Sequence, residues 1–235
     1  MSDLWIVMPV YNEEESLPGV FCEWLPILRA TASSFTLCVL NDGSKDSTLK
    51  ILREMEAIIP ELYVVDKSNS GHGPTCLYGY YLALSKDAKW ILQIDSDGQC
   101  DPRFFPKFWA ARTHHPVIYG YRKVRDDGLK RFLISRIVSL VTWMGTGTWV
   151  RDPNVPYRLM RYEVLAKLVN QIPSNFHLVN ILLAAFQERE YGIHWIDIHF
   201  RQRSRGVSSV KIYSIAVQGY QFFKQLLMLA RGTRT

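Results

Sequence analysis

The sequence predicts an α/β protein: a mostly parallel sheet with helices packed on it. Three observations carry that expectation. Short runs rich in β-branched and aromatic residues alternate with helix-period stretches through the first half of the chain. Those runs stop abruptly on polar groups, as where Trp90 to Ile94 gives way to Asp95, Ser96 and Asp97. A chain of 235 residues, 48% hydrophobic and 21% charged, is long enough to bury the core such a sheet needs. Strands separated by helices call for right-handed βαβ crossovers.

Taken in order, "LWIVMPV" is the first strand and a helical stretch follows it. "FTLCVLN" is the second strand, again followed by a helix, and "LYVVD" is the third. "PTCLYGYYLALSKD" reads as a helix and "WILQID" as the fourth strand. "VIYGYR" is a short fifth run before a long helical stretch from Gly128 to about Met144, which mixes bulky apolar residues with Lys130, Arg131 and Arg136. "VPYRLMRYEVLAKLV" with "NFHLVNILLAAF" reads as strand, helix, helix, and "IHWIDIHF" as a last strand before the basic loop "RQRSRGVSS". The chain ends in an apolar but interrupted helix pattern over residues 210–230. The expected division is a catalytic domain over 1–208 and an amphipathic helix over 209–235.

A net charge of +6 and a pI near 9.1 suit nucleic acid, an anionic membrane or phosphorylated small molecules. No recognised motif interleaves the basic residues with exposed aromatics, so a nucleic-acid partner is not expected. Cys22, Cys38, Cys76 and Cys100 form no CxxC pair, which speaks for buried free thiols in a reducing compartment rather than zinc or a dithiol. The opening "LWIVMPVYNEEES" is too short and too soon acidic for a signal peptide, and no apolar run reaches about 18 residues. Any membrane association is therefore expected from the surface.

Parallel sheets bind ligands at the carboxyl ends of their strands, so those ends hold the candidate residues. Asp95 and Asp97 read blandly as a turn. At a strand end, however, two adjacent carboxylates repel, and a divalent cation bridging them to a diphosphate removes that cost. Mg²⁺ or Mn²⁺ prefers oxygen ligands, and Gln99 offers an amide oxygen two residues on. "MPVYNEEES" alone is better read as a strand entering an acidic helix N-terminus, and "NDGSKDST" as a turn with Asp46 or Ser47 as cap. Asp42 is also placed to accept from the edge of a base. The glycines of "SNSGHGPT" let backbone N–H groups approach a phosphate or ribose, though the spacing fits neither a dinucleotide fingerprint nor a P-loop.

"PVYNEEESL", "LNDGSKDST", "SGHGPT", "IDSDGQCDP", "LKRFLISR", "RDPNVPYRLM" and "RSRGVSS" occur in an order and spacing that resemble glycosyltransferase family 2 over roughly residues 4–210. The branch most resembled contains dolichol-phosphate mannose synthase and bacterial polyprenyl-phosphate glycosyltransferases. The resemblance implies a GT-A fold, a UDP- or GDP-hexose donor, inversion at the anomeric carbon and a polyprenyl (dolichyl or undecaprenyl) phosphate acceptor. It places Pro9, Tyr11, Glu13 and Asp42 at the nucleoside, with Gly71 and Gly73 nearby. Asp95, Asp97 and Gln99 would hold the metal, and Arg122, Arg131 and Ser135 the acceptor phosphate. Arg203 and Ser208 would lie on a loop closing over the donor, and Asp97, Asp152 and Arg203 make up the expected catalytic set. A phosphate acceptor, already largely anionic at neutral pH, needs arginines more than a base.

The chain departs from the family pattern in two places. "DxxSGFR" appears as Asp152 to Arg158 without the Ser-Gly pair, and Asn175 to Asn180 replaces a segment in which many relatives carry Glu. The 210–230 helix has three readings: packing on the catalytic domain, self-association into a homo-oligomer, or contact with a membrane surface. The last is preferred, aided by Lys211, Lys224, Arg231 and Arg234, and it places the protein peripherally on the cytoplasmic face of a membrane. The 128–149 helix is expected to join it through Trp143 and Trp149. Two rival readings are a same-fold transferase with a saccharide or protein hydroxyl acceptor, and a non-catalytic nucleotide-binding adaptor at a membrane.

Overall fold

All seven residues of the first strand, β1 (Leu4–Val10), are buried, as expected for a parallel strand covered on both faces. The computed structural model describes residues 2–125, 129–173 and 176–202, the side chains of 125 and 129–132 excepted. Helix α1 (Leu17–Thr31) follows β1 and turns Leu17, Val20, Phe21, Trp24, Leu25 and Leu28 inward. That three-and-four spacing is the apolar stripe of a helix lying on a sheet, and each such side chain contributes about 1.5–3 kcal/mol when fully buried.

The chain continues through β2 (Phe35–Asp42), α2 (Thr48–Glu56), β3 (Leu62–Lys67), α3 (His72–Ser85) and β4 (Trp90–Ile94). β1 pairs in parallel with β2 and β4, and β3 pairs in parallel with β2. A short 3-10 turn, Pro102–Phe104, then leads into α4 (Phe105–Ala111). Periodicity does not anticipate α4, which at seven residues is too short for a helical period to register. Its local signal is Asp101-Pro102, where the Asp101 side chain accepts from Arg103 N–H at 3.0 Å.

Beyond α4 come β5 (Val117–Arg125), α5 (Leu129–Thr146), β6 (Tyr157–Arg161), α6 (Tyr162–Val169), α7 (Val179–Tyr191) and β7 (His194–Phe200). β6 lies between β4 and β5 and is antiparallel to both, while β7 returns parallel to β5. The sheet order among the described residues is β3-β2-β1-β4-β6-β5-β7, mostly parallel as expected. Trp24 closes one face against Phe105 and Tyr157.

Because β6 runs against its neighbours, it begins at the end of the sheet where β4 and β5 finish. The segment leading into β6 therefore shares a rim with the loops that leave the parallel strands. The expected helix at 209–235 lies outside the described residues. Among the described residues, no helix is long and apolar enough to cross a membrane.

Candidate active site

The loops after β1 and β2 are stitched together. Asn12 adopts φ 54°, a left-handed conformation that asparagine tolerates. Its N–H donates to Ser44 Oγ at 2.9 Å, and its Oδ1 accepts from Lys45 N–H at 2.8 Å. Glu13 N–H donates to Thr48 Oγ1 at 2.8 Å, and the Glu13 carboxylate accepts from Ser16 Oγ at 2.9 Å. Asp46 accepts from Thr48 N–H at the start of α2, the capping role read from the sequence. Glu13 is buried and Tyr11 half-buried. Ser96 Oγ donates to Pro9 O at 3.1 Å, tying the end of β1 to the turn after β4.

Asp42, the last residue of β2, faces Lys67 across the parallel register. Lys67 Nζ donates to Asp42 Oδ1 at 2.5 Å, Ser70 N–H to the same oxygen and Gly71 N–H to Oδ2, both at 2.8 Å. Burial pushes the Asp42 carboxyl up, but bonds from Lys67, Ser70, Thr75 and Gly71 outweigh it and hold it below the usual carboxylate range. The side chain thus anchors the loop of residues 68–71. Gly71 takes φ 90°, open to glycine but not to side-chain-bearing residues, and this aims its N–H at Asp42. At Gly73 a Cβ would lie 1.9 Å from His177 O, so only glycine lets α3 approach the turn before α7.

Asp95 and Asp97 stand beyond the end of β4, both partly exposed. Asp95 Oδ1 accepts from His72 Nε2 and from Gln93 Nε2, each at 3.0 Å. Asp97 Oδ1 accepts from Gln99 N–H at 3.1 Å, which closes the turn. Gln99 Nε2 donates to Arg201 O at 2.9 Å, and Arg201 N–H returns to Gln99 O at 3.1 Å. Gln99 therefore sews the turn to the segment leaving β7. Two hard carboxylates one residue apart suit Mg²⁺ or Mn²⁺. No third His, Cys, Asp or Glu completes a cluster among the described residues. Mg²⁺ is commonly held by one or two carboxylates, with substrate phosphates and water supplying the rest.

On the other side of β4, Arg122 donates to both oxygens of Asp152, from Nε at 2.7 Å and Nη2 at 2.6 Å. Ser135 Oγ, on α5, donates to Asp152 Oδ1 at 3.2 Å. Asp152 is 1% exposed and the Arg122 side chain 10%, and the guanidinium also lies over the Phe200 ring. Arg122 and Ser135, expected on an acceptor phosphate, and Asp152, expected in the catalytic set, thus form one unit. The Arg131 side chain, Arg203 and Ser208 lie outside the described residues.

Several residues near the site were not singled out from the sequence. Lys67 and His72 contact Asp42 and Asp95 directly, and the position of His72 between Gly71 and Gly73 was the available signal. Arg158 is fully buried. Its Nε donates to Val155 O at 2.7 Å, and its Nη2 and Nη1 donate to Pro153 O at 2.8 Å and Asn180 O at 2.5 Å. Arg201 pairs with Asp101 at 2.8 Å and with Glu23. Burial raises the Asp101 carboxyl, but Arg103 and Arg201 more than reverse this and leave it below the usual range.

Residues 5–179 match the family described as "Glycosyl transferase family 2". Among curated proteins, the undecaprenyl-phosphate 4-deoxy-4-formamido-L-arabinose transferase of Proteus mirabilis is 26% identical over 201 residues, covering 80% of this chain and 60% of that protein. The protein of the same description from Shewanella sediminis is 27% identical over 207 residues, covering 86% and 60%. The chain thus spans about three-fifths of the length of these relatives. Among solved structures, glucosyl-3-phosphoglycerate synthase from Mycobacterium tuberculosis in complex with Mn²⁺, UDP-glucose and phosphoglyceric acid superposes with a TM-score of 0.67 at 18% identity, covering 97% of this chain and 79% of that one. Its complex with phosphoglyceric acid alone gives 0.68 at 19%, with the same coverage. The fold is GT-A.

Proposed function

The chain belongs to glycosyltransferase family 2, and from that premise we propose that it moves a hexose from a UDP- or GDP-sugar to a polyprenyl phosphate with the help of a divalent cation at Asp95 and Asp97. The observation that carries this reading is the meeting, at one end of the sheet, of Asp42, the Gly71 to Gly73 loop and the Asp95/Asp97 pair, delivered by separate strands. The names of the curated relatives support the acceptor class, and the neighbour bound to Mn²⁺ and UDP-glucose supports the donor and the ion.

In this reading Pro9, Tyr11, Glu13 and the loop clasped by Asp42 receive the nucleoside. Asp95 and Asp97, shaped by the turn that Gln99 ties down, face the diphosphate. When bound, the cation supplies charge that neutralises the departing diphosphate. Asp152 and Ser135 fix the plane of the Arg122 guanidinium, so that this arginine, with Arg131, orients the acceptor phosphate. A phosphate oxygen attacks the anomeric carbon from the side opposite the diphosphate, a new C–O bond forms, and the bond to the nucleoside diphosphate breaks. With a second pKa of about 6 the acceptor is already largely ionised, so no base need take a proton. Arg203 is assigned to the departing diphosphate, with Ser208 on the same loop.

The lipid part of the acceptor agrees with the outer face of α5. Leu133, Ile137, Leu140 and Met144 are exposed in one row, with Trp143 and Trp149 also exposed, while Ser135 on the inner face meets Asp152. We assign this row, with the helix proposed for 209–235, to peripheral contact with the cytoplasmic face of a membrane. The deciding experiment supplies UDP- and GDP-hexoses with undecaprenyl or dolichyl phosphate, with and without chelator. Lipid-phosphate glycoside formed only in the presence of Mg²⁺ or Mn²⁺ is the expected product, and transfer solely to saccharide or protein hydroxyls overturns the proposal.

A further inference from the structure

A run of buried polar side chains leads from the interior of the sheet to Asp95. Tyr80 OH, on α3, donates to Asn180 Oδ1 at 2.7 Å. Burial, joined by the neighbouring Cys76, pushes the Tyr80 phenol well above its ordinary pKa, which keeps the hydroxyl protonated and a donor. With Oδ1 thus occupied, the Asn180 amide presents Nδ2 to Gln93 Oε1 at 3.4 Å and to Cys76 Sγ at 3.6 Å. Gln93, accepting on its carbonyl oxygen, turns Nε2 onto Asp95 Oδ1 at 3.0 Å. Tyr80, Gln93 and Asn180 are all buried, and Arg158 holds the Asn180 backbone oxygen from the other side.

The Asp95 carboxylate can only accept, and this fixes the direction of the bonds that lead to it. If the Gln93 amide were reversed, its carbonyl oxygen would face a carboxylate and its NH₂ would face another NH₂, so two hydrogen bonds would become repulsions. Unsatisfied polar groups at this depth cost about 1–3 kcal/mol each, which favours a single orientation. Both bonds to Asp95, from Gln93 and from His72, fall on Oδ1.

We infer that Gln93 and Asn180 are positioning residues for the Asp95 carboxylate: the Tyr80, Asn180, Gln93 series pins Oδ1 and presents Oδ2 to the divalent cation. The inference rests on the metal reading above. Outer-shell partners orient the ligands of metal ions and tune their affinity. On the Gln93 side the outer shell is a relay of neutral amides, while His72 Nε2 supplies the other bond to Oδ1.

The test uses the full chain and reads free Mn²⁺ by electron paramagnetic resonance in the presence of UDP or GDP, with metal-free thermal unfolding measured in parallel. Gln93→Met is expected to weaken Mn²⁺ binding about tenfold. Tyr80→Phe, which deletes one hydroxyl and keeps the ring packed, is expected to weaken it about two- to threefold through the same relay. Asn180→Leu should fall between them. Because the groups act in series, the Gln93→Met/Asn180→Leu double variant should bind Mn²⁺ no more weakly than Gln93→Met alone.

Native-like Mn²⁺ affinity in all the variants, with only their melting temperatures lowered, overturns the inference while leaving the metal reading in place. So does an additive double variant. If Gln93→Met fails to fold, Tyr80→Phe decides alone. An unaltered chain that takes up no Mn²⁺ in the presence of either UDP or GDP overturns the metal reading and this inference together.

Discussion

Arg122 and Asp152 meet through two parallel hydrogen bonds, and both side chains are withdrawn from water. Removing one partner of such a pair strands the other's charge, at a cost of about 3–5 kcal/mol. Asp152→Ala is therefore expected to lower the unfolding free energy by that amount, seen as a lower urea midpoint, and to abolish transfer, since Arg122 loses its fixed plane. Arg122→Lys keeps the charge but not the fork and should destabilise less. Equilibrium unfolding of both variants checks the order, and an unchanged midpoint for Asp152→Ala would sink it.

Two glycine substitutions should have opposite signs. Gly73→Ala would drive a methyl group into the His177 backbone, where neither atom is the flexible end of a side chain. A loss of about 1–3 kcal/mol or more is expected. Gly19→Ala, in α1, meets nothing within 4 Å and should stabilise by up to about 1 kcal/mol. Thermal unfolding of the pair tests whether the approach of α3 to the turn before α7 is as close as described.

Acid should loosen the part of the site around Asp42. The Asp42 carboxyl is held below its ordinary value, so in the folded state it gives up its proton more readily than in the unfolded chain. Its contribution is fully present above the unfolded value of about 3.9 and is lost as pH falls from there through the lower folded value. Asp101 contributes with the same sign. Asp42→Asn should flatten the stability curve below about pH 4. A wild-type acid limb retained in that variant would show that other carboxylates set it.

Thiol labelling should separate one cysteine from three. Cys22 lies exposed on the outer face of α1, whereas Cys38, Cys76 and Cys100 are buried. Burial raises the Cys38 thiol to about 12 and the Cys100 thiol well above its usual value. A thiol reagent at about pH 8 should therefore modify Cys22 alone in the folded protein and all four after denaturation. Mass spectrometry of the labelled chain gives the count.

The parts of this molecule that could be read from its sequence are those in which local pattern and final environment agree. β1, β2 and β4 are mostly apolar runs because neighbouring strands and helices cover them, and the acids after β4 are conspicuous because that run stops so sharply. Other features depend on distance. The reversal of β6 leaves no trace in a five-residue strand, since alternation is the same read in either direction. Asn180 and Gln93 are 87 positions apart and meet only after folding. Arg158 would ordinarily be taken as surface charge, yet it is buried and bonded to backbone carbonyls, a partnership that no residue type announces. Cys22 was expected to be buried with the other cysteines, yet it is exposed on α1 while its neighbour Phe21 faces the core, since successive helical residues point about 100° apart.

The reversed β6 also divides the labour of the rim. Among the described residues, the groups assigned to the donor hang from β1 to β4, whereas Arg122, Ser135 and Asp152 come from β5, α5 and the approach to β6, and the β4–β6 ladder is the seam between the two sets. Across that seam a family can exchange what it glycosylates while keeping what it draws the sugar from. A chimera that imports residues 117–161 from a relative is the natural unit of such an exchange, provided Arg158 still finds the Asn180 carbonyl waiting on the resident side.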